Sequence, residues 1–295
     1  MLFILLIASL GIHDCAYPAP PESIETETLR FEMSLPTLPS KSVLVLSNIH
    51  GEVNVEGYSG NTIQVEVFKT VKAKSKSTAQ KGLTELKLSE SIRGDTTEIV
   101  LDFPWERKDG GKGRWSGKYG YHSHGWHWDP DYEFQLDFSI RIPREMQLNV
   151  STVNQGSVTV EDVRGSITAN NVNGPIILEQ IEGQVNAKTI NGDVKISYSV
   201  LPKWDSQFYS QNGTIKVESP RGLAARMFFQ SFNGEFYTNL DPVVVGREEI
   251  SKEQHPMENG IQYSISSRSP IISRNGKTVL EFETYNGDVY VEESN

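Results

Sequence analysis

Residues 105–132 hold the densest set of side chains that could bind a metal or a ligand. Three of the six histidines and four of the five tryptophans of the chain lie there. In an extended segment alternate residues point to one side, so imidazoles at this spacing could ligate zinc, copper or nickel. The candidate metal ligands are His122, His124 and His127, and the candidate binding aromatics are Trp115, Tyr121, Trp126 and Trp128.

Two other interpretations of the same segment remain open. Exposed tryptophans that share a face can stack on sugar rings or contact another protein. The segment can also be a long loop between two paired strands, with its tryptophans covering an open end or side of the fold. The sequence contains no zinc-protease helix, nucleophile elbow or phosphate loop, so we predict no catalytic residue and no cofactor.

Two acidic pairs, Glu161 with Asp162 and Glu179 with Glu182, are the best candidates for carboxylate chemistry. Enzymes that cleave polysaccharides are also built on parallel β-helices, and they need carboxylates clustered on one face. All four residues fall near predicted turns, where charge ordinarily faces solvent and keeps a protein soluble. We therefore expect no enzymatic activity, with a carbohydrate-active β-helix enzyme as the alternative.

A nine-residue repeat supplies the elements that position these side chains. Gly156, Gly165, Gly174, Gly183 and Gly192 are evenly spaced, and through the first four units apolar residues stand two, four and seven positions after each glycine. The period-two alternation predicts short strands with one buried face, and the glycines predict a turn after each strand.

Asparagine precedes the glycine in every second unit, as Asn173 and Asn191, which predicts a coil of two units. Stacked coils repeat at about 4.8 Å, so Asn173 is expected above Asn191 and the glycines in a column. Asn-Gly also suits a corner with positive φ. The fold class is therefore predicted as all-β, a parallel β-solenoid with coils of 18 to 21 residues and Asn-Gly corners. The predicted corner residues are Gly51, Gly156, Gly165, Asn173, Gly174, Gly183, Asn191, Gly192, Asn212, Gly213, Asn233, Gly234, Asn286 and Gly287.

Calcium-binding β-rolls share the nine-residue spacing but carry aspartate two positions after a glycine. Here that position holds Val158, Ile167, Ile176, Val185 and Val194. These side chains cannot ligate calcium, so the repeat is a scaffold rather than an ion site.

The N-terminal residues 1–21 are predicted to be a signal or processing segment, because residues 1–10 are almost wholly apolar and a proline-rich stretch follows. Lipidation of Cys15 is a further possibility. Residues 22–41 are expected to be a linker. Residues 42–293 are expected to form a single solenoid domain, with residues 105–132 as an inserted loop.

The net charge of −10 opposes binding to nucleic acid. With a signal segment and no predicted transmembrane span in the mature chain, we expect an exported protein that is periplasmic, outer-membrane-associated or extracellular. Its expected partner is an envelope or extracellular macromolecule, either a protein or a polysaccharide.

Several units carry the same chained Asn-Gly signature, among them Asn171-Val-Asn-Gly, Thr189-Ile-Asn-Gly-Asp-Val and Tyr285-Asn-Gly-Asp-Val-Tyr-Val. In these units, residues 43–293 resemble the DUF4097-type family of bacterial adhesin-like proteins. The resemblance implies a β-solenoid that is commonly exported, and it supplies no catalytic residues. Gln155 departs from the pattern, because it stands where the family more often places asparagine.

Three functional hypotheses follow. The first is a non-enzymatic, adhesin-like binding or scaffolding protein of the cell envelope. The second is the carbohydrate-active enzyme, and the third is a metal-binding envelope protein that uses the histidine-rich segment.

Overall fold

The computed structural model describes residues 22–106, 112–114, 131–247, 249–257 and 260–294. A 3-10 turn spans Pro39–Lys41, and helix α1 spans Lys76–Glu85. The first strands are β1 (Ser23–Ser34), β2 (Val43–Ser47), β3 (Val53–Tyr58), β4 (Thr62–Ala73), β5 (Lys87–Arg93), β6 (Thr96–Glu106), β7 (Lys112–Arg114), β8 (Tyr132–Pro143), β9 (Gln147–Ser151), β10 (Val158–Glu161), β11 (Ile167–Asn170) and β12 (Ile176–Ile181). The remaining strands are β13 (Val185–Asn191), β14 (Val194–Tyr198), β15 (Ser206–Asn212), β16 (Ile215–Ser219), β17 (Ala225–Asn233), β18 (Phe236–Thr238), β19 (Val243–Val245), β20 (Glu249–Met257), β21 (Gly260–Arg268), β22 (Ile271–Ser273), β23 (Thr278–Asn286) and β24 (Val289–Glu293).

Nearly all these strands belong to two large sheets, and the predicted all-β class is confirmed. Sheet A has the order β1-β4-β8-β3-β10-β12-β14-β16-β24-β18. Sheet B has the order β19-β22-β17-β23-β15-β13-β11-β9-β2-β6-β5, and β20 and β21 form a separate hairpin. The central strands of both sheets pair in parallel, as the repeat requires.

From β9 to β16 the chain alternates between the sheets, and each strand pairs with the strand two places later. Val158 of β10 lies beside Ile176 of β12, and Ile167 of β11 lies beside Val185 of β13. We call a strand of sheet B and the following strand of sheet A a layer. Six of the layers, from β9–β10 to β17–β18 and including β23–β24, contain an asparagine corner at the connection from sheet B to sheet A.

The layers do not stack in chain order at either end. The pair β2–β3 lies between β6–β8 and β9–β10, although β6 and β8 come later in the chain than β3. At the other end β23–β24 lies between β15–β16 and β17–β18. Near each end of the stack, one layer is therefore inserted between two layers that come from another part of the chain.

The core lies between the sheets and is built from the repeat positions that the sequence assigns inward. Val158, Val160, Ile176 and Leu178 of sheet A are fully buried, and their neighbours from sheet B are equally buried. Burial of aliphatic side chains of this size contributes roughly 1.5–3 kcal/mol each, which makes this column the main source of stability.

Sheet A continues beyond β8 through elements that lie outside the repeat. β1 pairs along its whole length with β4, so residues 22–41, expected to be a linker, include a strand of sheet A. Helix α1 begins at Ser75, whose hydroxyl accepts a hydrogen bond from the Thr78 N–H at 3.2 Å, and it buries Ala79 and Gly82. A serine in this position satisfies one of the free N–H groups of the first turn.

Candidate functional site

The histidine and aromatic residues that the sequence singles out lie outside the described residues. These are Trp115, Tyr121, His122, His124, Trp126, His127 and Trp128. The flanking strands β6 and β8 belong to sheet B and sheet A, respectively. Metal binding by this segment stays a prediction. Within the described residues no group of three or more histidine, cysteine, aspartate or glutamate side chains could hold a metal ion.

The corners from sheet B to sheet A form a continuous ladder of asparagine side chains. In each step the Nδ2 amide donates to Oδ1 of the preceding asparagine in the stack, at 2.7–2.9 Å. The order is Asn154, Asn173, Asn191, Asn212, Asn286 and Asn233, which is the order of the layers rather than of the chain. An amide ladder of this kind fixes the register of stacked parallel strands.

The glycines after these asparagines are required by close approach of the stacked backbones. A Cβ atom at Gly174 would overlap the carbonyl oxygen of Gly156, and one at Gly192 would overlap that of Gly174. Gly183 stands in the same relation to Gly165 at the opposite corner. The sequence also favoured positive φ at the Asn-Gly corners, but Gly174, Gly192 and Gly213 do not have it.

Positive φ occurs instead at a few residues with side chains. Gln155 has φ of 58°, and it is the extra residue that lets Asn154 keep its ladder position before Gly156. At the opposite corner Asp162 and Gln180, eighteen residues apart, have φ of 57° and 56°. Gly51, the first glycine of the column, has φ of 117°, and Gly287 of the Asn286 corner has φ of 157°.

A second polar column lies inside the corner, and the repeat pattern did not predict it. Thr189 and Ser210 are completely buried, and their hydroxyls donate to the carbonyl oxygens of Gly174 and Gly192 at 2.9 and 2.8 Å. Asn171 does the same through its amide to Gly156 at 3.0 Å. These residues stand three positions before a glycine. The apolar residues beside them, such as Val172, are only partly buried instead of lying in the core.

His50 occupies the ladder position above Asn154, with which it forms a parallel bridge. Its ring meets the edge of Phe134, with 5.0 Å between ring centroids. Burial lowers the pKa of His50 below the ordinary 6.5, although the nearby charge of Glu133 acts in the opposite direction. The ladder therefore begins next to a neutral imidazole.

The far end of the ladder carries two pairs of stacked aromatic rings. Phe232 and Tyr285 directly precede Asn233 and Asn286, and their rings stack at 4.9 Å with 4° between the planes. They are 71% and 49% exposed, so most of the outer ring surface meets solvent. Tyr237 and Tyr290 follow the same corners, and their rings also stack at 4.9 Å.

Carboxylates border the tyrosine pair. The hydroxyl of Tyr237 donates to Oε2 of Glu235 at 2.7 Å, and that of Tyr290 donates to Oδ2 of Asp288 at 3.4 Å. The hydrogen bond to Glu235 and its negative charge raise the pKa of Tyr237 to about 12. Both carboxylates therefore stand at the rim of an exposed aromatic surface, and we call Phe232, Tyr237, Tyr285 and Tyr290 the aromatic corner.

Two of the four acidic candidates for catalysis are engaged in ion pairs. Asp162 binds Arg144 at 2.6 Å, and Glu182 binds Arg164 at 3.1 Å. The hydrogen bond to Asp162 raises the pKa of the Arg144 guanidinium. Glu161 and Glu179 lie side by side on β10 and β12. None of these arrangements favours general acid or base chemistry over ordinary surface charge.

Comparison with known proteins gives weak likenesses. No family model matches the sequence, and no curated protein matches it. A candidate cell adhesion protein from Clostridium sporogenes is 10% identical, covering 92% of this chain and 100% of that one with a TM-score of 0.38. A candidate adhesin from Bacteroides fragilis is 9% identical, covering 91% and 97% with a TM-score of 0.36.

A third structure, a candidate lipid-binding protein from Parabacteroides distasonis, is 11% identical and covers 92% of this chain and 97% of its own, with a TM-score of 0.28. At these TM-scores the likenesses carry no argument about fold or function. Within the described residues no helix has the length and apolar character needed to cross a membrane.

Proposed function

We propose that this chain is a non-enzymatic, adhesin-like binding protein of the cell envelope, of the DUF4097 type, and that its alternating strands wind as a parallel β-solenoid. The in-register pairing of every second strand from β9 to β16 supports the solenoid. The apolar residues 1–10 support export. The rigid stack then serves to display a surface.

The aromatic corner is the observation that carries this proposal. Exposed phenylalanine and tyrosine rings leave apolar surface in contact with water. Soluble proteins rarely place several such rings together on the surface except at a binding site. Here Phe232 and Tyr285 group across 53 residues of sequence, since their neighbours Asn233 and Asn286 are ladder partners. The carboxylates of Glu235 and Asp288 add fixed acceptors beside the rings of Tyr237 and Tyr290.

The ligand class that fits this surface is a polysaccharide. A sugar ring has an apolar face of C–H groups that stacks on an aromatic ring, and hydroxyls at its rim that donate to carboxylates and amides. The aromatic corner offers ring faces bordered by such acceptors. The net charge of −10 favours neutral or amino sugars over acidic ones.

A glycan array probed with the purified protein tests the proposal. We expect binding to neutral or amino-sugar polysaccharides that the variant Phe232→Ala/Tyr237→Ala loses at least about tenfold, which corresponds to stacking energies of roughly 1–2 kcal/mol. Phe68→Ala is the matched control, because Phe68 is an exposed aromatic residue of β4 far from the corner in the strand order.

The same array separates the alternatives. Trp126→Ala/Trp128→Ala tests the histidine- and tryptophan-rich segment, and loss of binding in that variant alone would contradict the assignment to the aromatic corner. Turnover of a bound polysaccharide that Glu161→Gln/Asp162→Asn abolishes would establish the enzyme instead. Recovery of the mature protein in the cytoplasm on fractionation would remove the envelope part of the proposal.

A further inference from the structure

We infer that Asn233 is a ladder asparagine that deamidates, and that the stack protects the Asn-Gly pairs at Asn191, Asn212 and Asn286 from the same reaction. Asn-Gly is the dipeptide in which this chemistry is easiest, because glycine leaves the following backbone nitrogen unhindered. The ladder contains five such pairs, which begin at Asn173, Asn191, Asn212, Asn233 and Asn286. The inference does not depend on the proposed binding function.

The reaction needs two groups of the same dipeptide to be free. The backbone nitrogen of the glycine loses its proton and attacks Cγ of the asparagine side chain. A C–N bond forms, the Cγ–Nδ2 bond breaks, and ammonia leaves a cyclic imide. Water then opens the imide at either carbonyl and gives aspartate or isoaspartate, so the net change is amide plus water to carboxylate plus ammonium.

Inside the stack both groups are held. The N–H of Gly192 donates to the Asn212 carbonyl at 3.2 Å, that of Gly213 to the Asn286 carbonyl at 3.0 Å, and that of Gly287 to the Asn233 carbonyl at 3.0 Å. The side-chain amides before these glycines each donate to one neighbour and accept from the other. A nitrogen engaged in the next layer cannot turn toward its own side chain unless the layer opens.

Asn233 and Gly234 belong to the last layer of the ladder, and β18 is the edge strand of sheet A. Asn233 donates to Asn286 at 2.9 Å, but no residue in the described part of the chain donates to its Oδ1. Across the same described residues, the N–H of Gly234 has no backbone acceptor. In the described part of the chain, the pair at the end of the stack therefore lacks both the glycine N–H bond and the incoming side-chain amide bond that hold the pairs at Asn191, Asn212 and Asn286.

Peptide mapping by mass spectrometry tests the inference on the intact protein. The folded protein is incubated at mildly alkaline pH, digested with trypsin, and each Asn-Gly peptide is followed for the mass gain of deamidation. Cleavage after lysine and arginine places Asn191, Asn212, Asn233 and Asn286 in separate peptides. We expect Asn233 to react at least about tenfold faster than Asn191, Asn212 and Asn286, since the last layer opens at lower cost.

Incubation in urea is the control, because it removes the stack and leaves the dipeptides. There we expect the four sites to react at similar rates, which assigns the difference in the folded protein to the layers. Equal rates in the folded protein, or an Asn233 that stays unreacted when the others convert, would overturn the inference. Isoaspartate at position 233, detected by enzymatic methylation of the same peptide, would identify the imide route.

Discussion

Asn191 donates from its side-chain amide to Oδ1 of Asn173 at 2.8 Å, although the two residues are eighteen positions apart. The same amide accepts from Asn212 of the next layer at 2.9 Å. Each interior asparagine of the ladder thus makes two side-chain bonds and lies at the end of a strand that pairs on both sides, or shortly after it. The asparagine ladder, the glycine column and the second polar column, which contains Thr189 and Ser210, run side by side along the corners from sheet B to sheet A.

Replacing Asn191 with alanine tests the ladder. The variant loses both side-chain bonds, so we expect the free energy of unfolding to fall by about 1–2 kcal/mol, a value limited by the exposure of the corner. Asn186→Ala, on the outer face of the same strand, should stay within about 0.5 kcal/mol of the parent protein. Urea denaturation measures both, and equal effects would mean that the ladder bonds contribute nothing specific.

Replacing Gly174 with alanine tests the glycine column. The new methyl group would overlap the Gly156 carbonyl, and we expect a loss of roughly 2–4 kcal/mol because neither backbone can move without its neighbours. Gly94→Ala separates crowding from backbone strain, since Gly94 has φ of 64° and open space around it, and should cost only about 1–2 kcal/mol. A smaller loss at position 174 than at position 94 would contradict this account.

The inner column predicts a difference between two substitutions at one buried site. Thr189→Val keeps the shape but leaves the Gly174 carbonyl without its donor, so we expect a loss of about 1–3 kcal/mol. Thr189→Ser keeps the hydroxyl and removes one methyl group, for about 0.8 kcal/mol. The order of the two melting temperatures is the measurement, and a valine variant as stable as the serine variant would show that the bond is dispensable.

The lowered pKa of His50 predicts a stability that depends on pH. The folded protein keeps this imidazole neutral, whereas the unfolded chain binds a proton near pH 6.5. The contribution of His50 is therefore complete above pH 6.5, and it is lost as the pH falls from there toward the folded pKa. His50→Asn removes the titration and places an amide beside Asn154. The variant and the parent should diverge in unfolding free energy as the pH falls, and a constant difference from about pH 8 to about pH 5 would refute the assignment.

Much of the fold could be predicted from the sequence, because the spacing of the repeat determines which residues face inward and which residues stack on one another. Apolar residues two and four positions after each glycine, such as Val158 and Val160, are buried as expected. Asn173 lies beside Asn191, as the eighteen-residue period required. The burial of the seventh position after each glycine was harder to predict. Val163 is buried, but at the next unit Asn171 is buried and Val172 is only partly buried. A buried amide is stable only when it has a hydrogen-bond partner, and the partner of Asn171 is the Gly156 carbonyl of another layer, which the repeat does not show.

The order of the layers and the aromatic corner could not be predicted. Phe232 and Tyr285 each stand directly before an Asn-Gly pair, and this shared position could have indicated that their rings lie at equivalent corners. They are 53 residues apart, however, and the periodicity does not show which layers are neighbours. That choice is made by the long-range pairing of β23 with both β15 and β17. The histidine- and tryptophan-rich segment around His122 and Trp126 lies outside the described residues.

The placement of β23–β24 between two earlier layers bears on how the chain is made. A ribosome releases β15 to β18 before β23 and β24, so the last layer of the stack has no partner on its inner side until the later strands arrive. Until then β15 and β17 lack their shared partner β23, and β16 and β18 lack their shared partner β24. Such unpaired edges pair readily with other chains. Synthesis of the final strands therefore completes the stack from within, and a chain arrested before Thr278 would lack the layer with which both β15–β16 and β17–β18 pair.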